Sequence, residues 1–97
     1  MVEVRLTRDA RLDLVEIDAF GAERFGGDAA EAYQRAIAKV LKQLEDFPML
    51  GEARSDYGDG IRCIVHKSHR ILYKIDMDFV VVARILHHSR DVPRHLP

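Results

Sequence analysis

Cysteine, tryptophan and proline are scarce in this chain, which carries one Cys, no Trp and 3 Pro among 97 residues. A lone Cys63 rules out an internal disulfide framework, and its setting among Ile61, Ile64 and Val65 marks it as a small buried hydrophobe. Long apolar runs are missing too. The longest, Phe79 to Ala83, falls far short of the roughly 20 residues that cross a bilayer, so no membrane helix is expected. Glu3, Arg5, Arg8, Asp9, Arg11 and Asp13 interrupt any apolar stretch that an export signal would need near the start. With a free thiol and no such signal, the cytosol is the expected compartment.

An excess of one charge sign is also absent overall, since 15 Lys and Arg stand against 16 Asp and Glu. The balance hides an asymmetry. Residues 1–60 hold 8 basic against 13 acidic side chains, a net of −5, whereas residues 61–97 hold 7 against 3, a net of +4, together with all 5 histidines. One face of the fold is therefore expected to be basic, as where a polyanion or an acidic partner docks. With 47% hydrophobic and 32% charged residues the composition is that of a globular protein, and the length fits a single domain over residues 1–97.

Val2, Val4 and Leu6 alternate with Glu3 and Arg5, the period of a short strand with one buried face. Thr7 offers an N-cap to a helix whose stripe is Ala10, Leu14, Ile17, Gly21 and Phe25. Gly26-Gly27 ends it. Asp28 with Glu31 reads as a capping box opening a second helix, whose stripe Tyr33, Ile37, Val40, Leu44 and Phe47 runs to the stop at Pro48. The two stripes can meet as an antiparallel hairpin. Met49 to Gly60 reads as a loop, and strands are predicted over Ile61–His66, His69–Asp76 and Phe79–His87, with connections short enough to demand antiparallel neighbours. The tail after Arg90, with Pro93 and Pro97, is expected to be a turn or short irregular segment.

The expected class is thus α+β, a helical hairpin packed on an antiparallel sheet in the order β-α-α-β-β-β. Parity along the strands assigns Ile71, Tyr73 and Ile75, with Val81, Ala83 and Ile85, to the face under the helices. Arg70 and Lys74 fall on the other face. If the registers agree, Arg62 and Arg84 stand beside them, interleaved with Ile64, Leu72 and Val82, making a basic, half-apolar open surface.

Certain words in this order are familiar. Leu6-Thr7-Arg8 leads into Ala10, Asp13-Leu14 and Ile17; Leu44 to Gly51 reads LEDFPMLG; Gly60-Ile61-Arg62 and Arg70 to Ile75 follow; Arg84-Ile85-Leu86-His87 with Arg90-Asp91 closes the chain. In these stretches the chain resembles the ParE branch of the RelE/ParE superfamily of bacterial toxins. The resemblance implies the toxin of a type II toxin–antitoxin pair, held inactive in a hetero-oligomer by a cognate antitoxin of ParD-like or similar kind. It implies further that DNA gyrase is the target, stalled on cleaved DNA without catalysis and without a cofactor. Two alternatives stay open: a RelE-like endoribonuclease that cuts messenger RNA on the ribosome, and a detoxified module that only binds antitoxin.

On the leading reading, Arg62, Arg70, Arg84, His87, Arg90 and Asp91 are the candidate target contacts. A nuclease would need cations and a proton carrier, for which Arg62, Arg84 and His87 are the candidates. His87 and His88 would point to opposite faces of a continuing strand, which argues against their forming one acid–base pair. His66 and His69 flank the Lys67-Ser68 turn, but two ligands fall short of a zinc site, so no metal is expected. Tyr73 reads as a core residue with a hydrogen-bonded hydroxyl, and Arg84 needs water, an acidic partner or an internal ion pair such as one to Asp91. Leu12, Val15 and Ala19, with Ala22, form a second stripe on the first helix, away from its core stripe. These are the candidate antitoxin contacts.

Overall fold

The computed structural model describes residues 1–96 and is α+β. Strand β1 (Glu3–Leu6) is followed by helices α1 (Arg8–Phe25) and α2 (Gly27–Asp46), then by β2 (Glu52–Ala53) and a single 3₁₀ turn at Ser55–Tyr57. Strands β3 (Arg62–His66), β4 (His69–Asp76) and β5 (Phe79–His87) come next, and a short helix α3 (Val92–His95) lies in the tail. The sheet has five strands in the order β1-β5-β4-β3-β2. Its pairs are antiparallel except that β1 runs parallel to β5, so the sheet is mixed rather than purely antiparallel. A parallel neighbour needs a long crossover, and the helical hairpin between β1 and the rest of the sheet provides it.

The caps follow the sequence in one helix and depart from it in the other. Thr7 Oγ1 accepts from the Ala10 N–H at 3.1 Å and also donates to the Ala83 carbonyl at 2.7 Å, so one hydroxyl starts α1 and ties it to β5. The expected capping box at Asp28 and Glu31 is not formed. Gly26 is the N-cap of α2 without a side-chain bond, at φ 94°, and Glu31 pairs instead with Arg35 at 2.9 Å. Gly26 serves both helix ends because no side chain opposes its left-handed φ. Farther along the hairpin the helices come close where Gly21 faces Ala30, leaving a built Cβ only 3.4 Å from the Ala30 Cβ.

Beneath the helices lies the main core, in which Ile37, Leu41 and Leu44 of α2 and Ala10 of α1 pack on Ile71, Tyr73, Val80, Val82 and Ile85. The expected parity holds on β4 and fails on β5. Leu72 pairs with Arg84 but Tyr73 pairs with Val82, which leaves Ala83 as an extra bulged residue. A bulge shifts the side-chain alternation by one. Val80 and Val82, not Val81 and Ala83, therefore face the helices, and Ile85 rejoins them beyond the bulge.

The opposite face is not the open basic surface that strand parity predicts. Cys63, Leu72 and Leu86 form a second small core there with Ile61 and with Val92 of α3, and Tyr57 and Leu96 pack on its margin. Pro93 sits in the first turn of α3, where its fixed φ suits a helix start and no N–H is missed, so part of the tail is helical rather than irregular. Pro97 lies outside the described residues. The two-residue β2 falls inside the expected loop, too brief for alternation to reveal. Burial raises the Cys63 thiol above its ordinary pKa, consistent with an inert core role.

Tyr73 anchors the segment after α2. Its hydroxyl donates to the Pro48 carbonyl and accepts from the Gly51 N–H, both at 2.7 Å. Gly51 has no room for a side chain, because a Cβ would stand 2.7 Å from Tyr73 Cε1. Tyr73→Phe should lower unfolding free energy by about 1–3 kcal/mol, since it leaves the buried Gly51 N–H and the half-buried Pro48 carbonyl without their partner. Gly51→Ala should cost as much or more through the clash. Urea denaturation of both variants checks this, with an unchanged midpoint for Tyr73→Phe as the contrary result.

Candidate functional site

The site begins where β1 stops. Its last residue, Leu6, stands beside Val82, so beyond the bulge β5 has no strand partner on that edge among the described residues. α1 takes over. Asp13 Oδ2 accepts from the Ile85 N–H at 2.9 Å, supplying the ladder bond that a strand would have made. The same carboxylate holds Arg84 through two bonds of 2.8 Å, to Nε and Nη2, in a bidentate pair. The Arg84 side chain pairs with Leu72 on the far side of the sheet, and its guanidinium reaches round the free edge to α1. There Nη1 also donates to the His95 carbonyl at 3.2 Å, so helix, strand and tail meet at one cation. The hydrogen bonds to Asp13 hold the Arg84 pKa above its ordinary value. Arg84 thus has its internal ion pair, with Asp13 rather than Asp91 as partner.

Between α1 and the C-terminal half of β5 opens a groove of about 980 Å³. Its helical wall displays Ile17, Phe20, Phe25 and Ala29, with Glu16 and Arg24 among them; its other wall carries His69, Arg84, His87 and Arg90. Phe20 and Phe25 are largely exposed, 57% and 70%, an unusual display for large aromatics on adjacent turns. At the end of the sheet four imidazoles gather. His66 pairs with His69 across the β3–β4 turn, the His69 and His87 rings lie 5.5 Å apart, and the His87 and His88 rings 4.3 Å apart. The last pair stacks because β5 ends at His87, which frees His88 from strand alternation. Tyr33 of α2 reaches into the group and its hydroxyl lies 2.6 Å from His69 Nδ1. Burial, and then the neighbouring histidines, push the His69 pKa below its ordinary value, while burial raises that of Tyr33.

Of the six expected target contacts the structure gathers three, Arg84, His87 and Arg90, around this groove. The others stand apart. Arg62 is opposite Tyr73, hence on the helix face, where it donates to the Gly51 and Met49 carbonyls at 2.8 and 3.2 Å. Arg70 lies on the far face and donates to the His88 carbonyl at 3.3 Å. Asp91 precedes α3 and approaches Arg94 at 3.7 Å. The expected patch of Arg62, Arg70 and Arg84 on one face is therefore not formed, and neither is a cluster of Arg62 with Arg84 and His87. Leu12 and Val15 are exposed on α1 at 46% and 64%, and Ala19 beside them is exposed too. Val15 and Ala22 line a smaller crevice of about 460 Å³ between the helices, flanked by Asp18 and Glu31.

Sequence reasoning missed Asp13, Phe20, Tyr33 and His69 as members of a site. Asp13 was the readable one. It is an acid one step off the apolar stripe of an amphipathic helix, on a side where a carboxylate is buried only with a partner.

Two helices packed on a five-stranded mixed sheet make up the fold of the RelE/ParE toxins. The likeness is close to one chain of the chromosomal ParDE toxin–antitoxin system of P. aeruginosa, with a TM-score of 0.80 at 20% identity over 90% of this chain and 96% of that one. It is also clear to the toxin–antitoxin complex RelBE2 of Mycobacterium tuberculosis, with a TM-score of 0.68 at 23% identity over 90% and 98%. Within this class the chain belongs to the ParE toxin family of type II toxin–antitoxin systems, whose family model matches residues 4–92. Toxin ParE3 of Caulobacter vibrioides is 35% identical over 86 residues, covering 89% of this chain and 86% of the relative. Toxin ParE1 of the same organism is 28% identical over 96 residues, 99% of each, and toxin ParE1 of Mycobacterium tuberculosis is 30% identical over 92 residues, 94% of each.

The Asp13 latch makes a definite demand on stability. Asp13→Ala leaves Arg84 and the Ile85 N–H unpaired in a largely buried setting and should cost about 3–5 kcal/mol. Asp13→Asn keeps an acceptor for Ile85 but no charge for Arg84 and should fall between. Thermal and urea unfolding measure both; wild-type stability in Asp13→Ala would show that the latch holds nothing together.

Proposed function

We propose that this chain is the toxin of a type II toxin–antitoxin pair, that it acts in the cytoplasm by binding DNA gyrase without catalysing a reaction, and that a cognate antitoxin neutralises it. Family membership supports the toxin assignment. The observation that carries the mode of action is the wide amphiphilic groove, on whose wall Arg84, His87 and Arg90 converge opposite Ile17, Phe20 and Phe25 of α1. Such a surface suits the grip of a protein segment. A nucleolytic reading draws less support, since Arg62 lies outside the groove lining, committed to two backbone carbonyls, and Arg84 is neutralised by Asp13.

The antitoxin takes the outer stripe of α1. Leu12, Val15 and Ala19 are exposed there, and the crevice beside Val15 is bordered by Asp18 and Glu31. An amphipathic helix with apolar anchors and basic flanks fits that chemistry. Docking there leaves a toxin restrained within a hetero-oligomer.

Purified protein should inhibit supercoiling by gyrase and accumulate cleaved DNA. Cleavage of transcripts on programmed ribosomes, with gyrase unaffected, would favour the endoribonuclease instead; silence in both assays would favour a module that only binds antitoxin. For the second surface, replacing Leu12 and Val15 with Asp should weaken antitoxin binding at least about tenfold, or about 1.4 kcal/mol. Circular dichroism should be unchanged. Undiminished affinity in a calorimetric titration would remove the α1 stripe as the antitoxin site.

A further inference from the structure

The groove beside the histidine cluster has a chemistry more specific than general adhesiveness. Asp13 and Arg84 neutralise each other. Glu16 and Arg24, both from α1, oppose each other in sign along the helical side, and Arg90 from the tail adds a positive charge on the opposite wall. The remaining ionisable groups of the lining are Tyr33 from α2 and three histidines, His69 from β4, His87 from β5 and His95 from α3. Behind His69 stand the Tyr33 hydroxyl from α2 and the His66 ring from β3, while His88 stacks on His87. Arg70, on the far side of β4, bonds the His88 carbonyl and adds another cation nearby. Asp13 favours the charged form of His69, and it is already committed to Arg84 and Ile85.

We propose that this groove receives an acidic, aromatic- or aliphatic-bearing peptide segment of the target protein, and that His69, packed against His87, makes its grip tighten as pH falls. The inference rests on the reading of this chain as a gyrase-binding toxin and adds the chemistry and proton dependence of the contact. Apolar side chains of the segment lie on Ile17, Phe20 and Phe25; carboxylates lie on the histidine and arginine wall. The exposed aromatics favour a peptide over a phosphate backbone, because a polyanion leaves Phe20 and Phe25 without an apolar partner.

The sign of the proton effect follows from the cluster. In the free protein, burial and mutual repulsion hold His69 neutral at pH values where an isolated imidazole begins to charge. A carboxylate brought against it favours the charged form, so binding takes up a proton and affinity rises as pH drops. Tyr33 does not prevent this. Its oxygen, now 2.6 Å from Nδ1, can accept from a protonated His69 while its own O–H turns to the His66 carbonyl, 3.4 Å away.

The test is the affinity of the full chain for purified gyrase at pH 8, 7 and 6, by fluorescence anisotropy, for wild type, His69→Asn/His87→Asn and Arg24→Ala/Arg90→Ala. Wild-type affinity should rise by about three- to tenfold per pH unit. The histidine variant should lose most of that slope, and the arginine variant, whose substituted residues are exposed, should bind more weakly at every pH while keeping the slope. Subtracting the histidine variant removes titration of gyrase itself, and circular dichroism confirms that both variants fold. A wild-type affinity flat with pH, or a slope kept in the histidine variant, overturns the proposal while leaving gyrase inhibition intact. Wild-type binding of a short duplex oligonucleotide with the same pH slope, lost in the histidine variant, makes the occupant a polyanion and overturns it too. Absence of gyrase binding at every pH removes the underlying reading and this inference with it.

Discussion

One carboxylate organises the functional end of this molecule. Asp13 stands where β1 has ended and that edge of β5 has no strand neighbour among the described residues, and it completes the Ile85 ladder bond while clamping Arg84. An unprotected strand edge invites pairing with another chain. Here a helix closes it, and the closure fixes how α1 lies along the sheet. The groove between α1 and β5 has its width because Asp13, Thr7 and Arg84 hold that distance. Without the latch, Phe20 and the histidine wall would have no fixed relation to each other.

The protein thereby divides its surface by chemistry. The outer side of the helical hairpin carries apolar residues with acids beside them; the side toward the tail carries aromatics opposite histidine and arginine. The uneven charge of the two halves of the sequence is the imprint of that division. On the proposed reading, two surfaces of opposite character keep the two partners apart, because charge of one sign repels the wrong partner as well as attracting the right one.

Much of the fold was readable from the residues. β4 and β5 begin and end where alternation and turn spacing put them, the Thr7 cap forms, and Tyr73 is a buried tyrosine with its hydroxyl bonded. What escaped came from tertiary constraint. No local pattern announces that Ala83 is a bulge, yet that one residue reverses the parity of β5 and moves Val82 from the far face to the core. Arg62 reads like any strand cation until the chain after α2 folds back and offers its carbonyls. Tyr33 and His69 are distant in sequence and meet only because α2 crosses the β3–β4 turn. The histidines were visible as a cluster in composition, but their convergence on a groove was not.

The place of β5 in the sheet has a bearing on how the molecule comes into being. It is the last strand made and sits between the first strand and the hairpin partner β4, with the Thr7 hydroxyl bonding a carbonyl 76 residues away. Contacts so remote must wait on closure of nearly the entire chain, which slows folding relative to a helical bundle of the same length. While β5 is still inside the ribosome tunnel, β1 has no neighbour and the hairpin has no finished platform. The groove between α1 and β5 therefore does not exist until synthesis is almost over, and the surface to which we assign the action of this protein is the last to form.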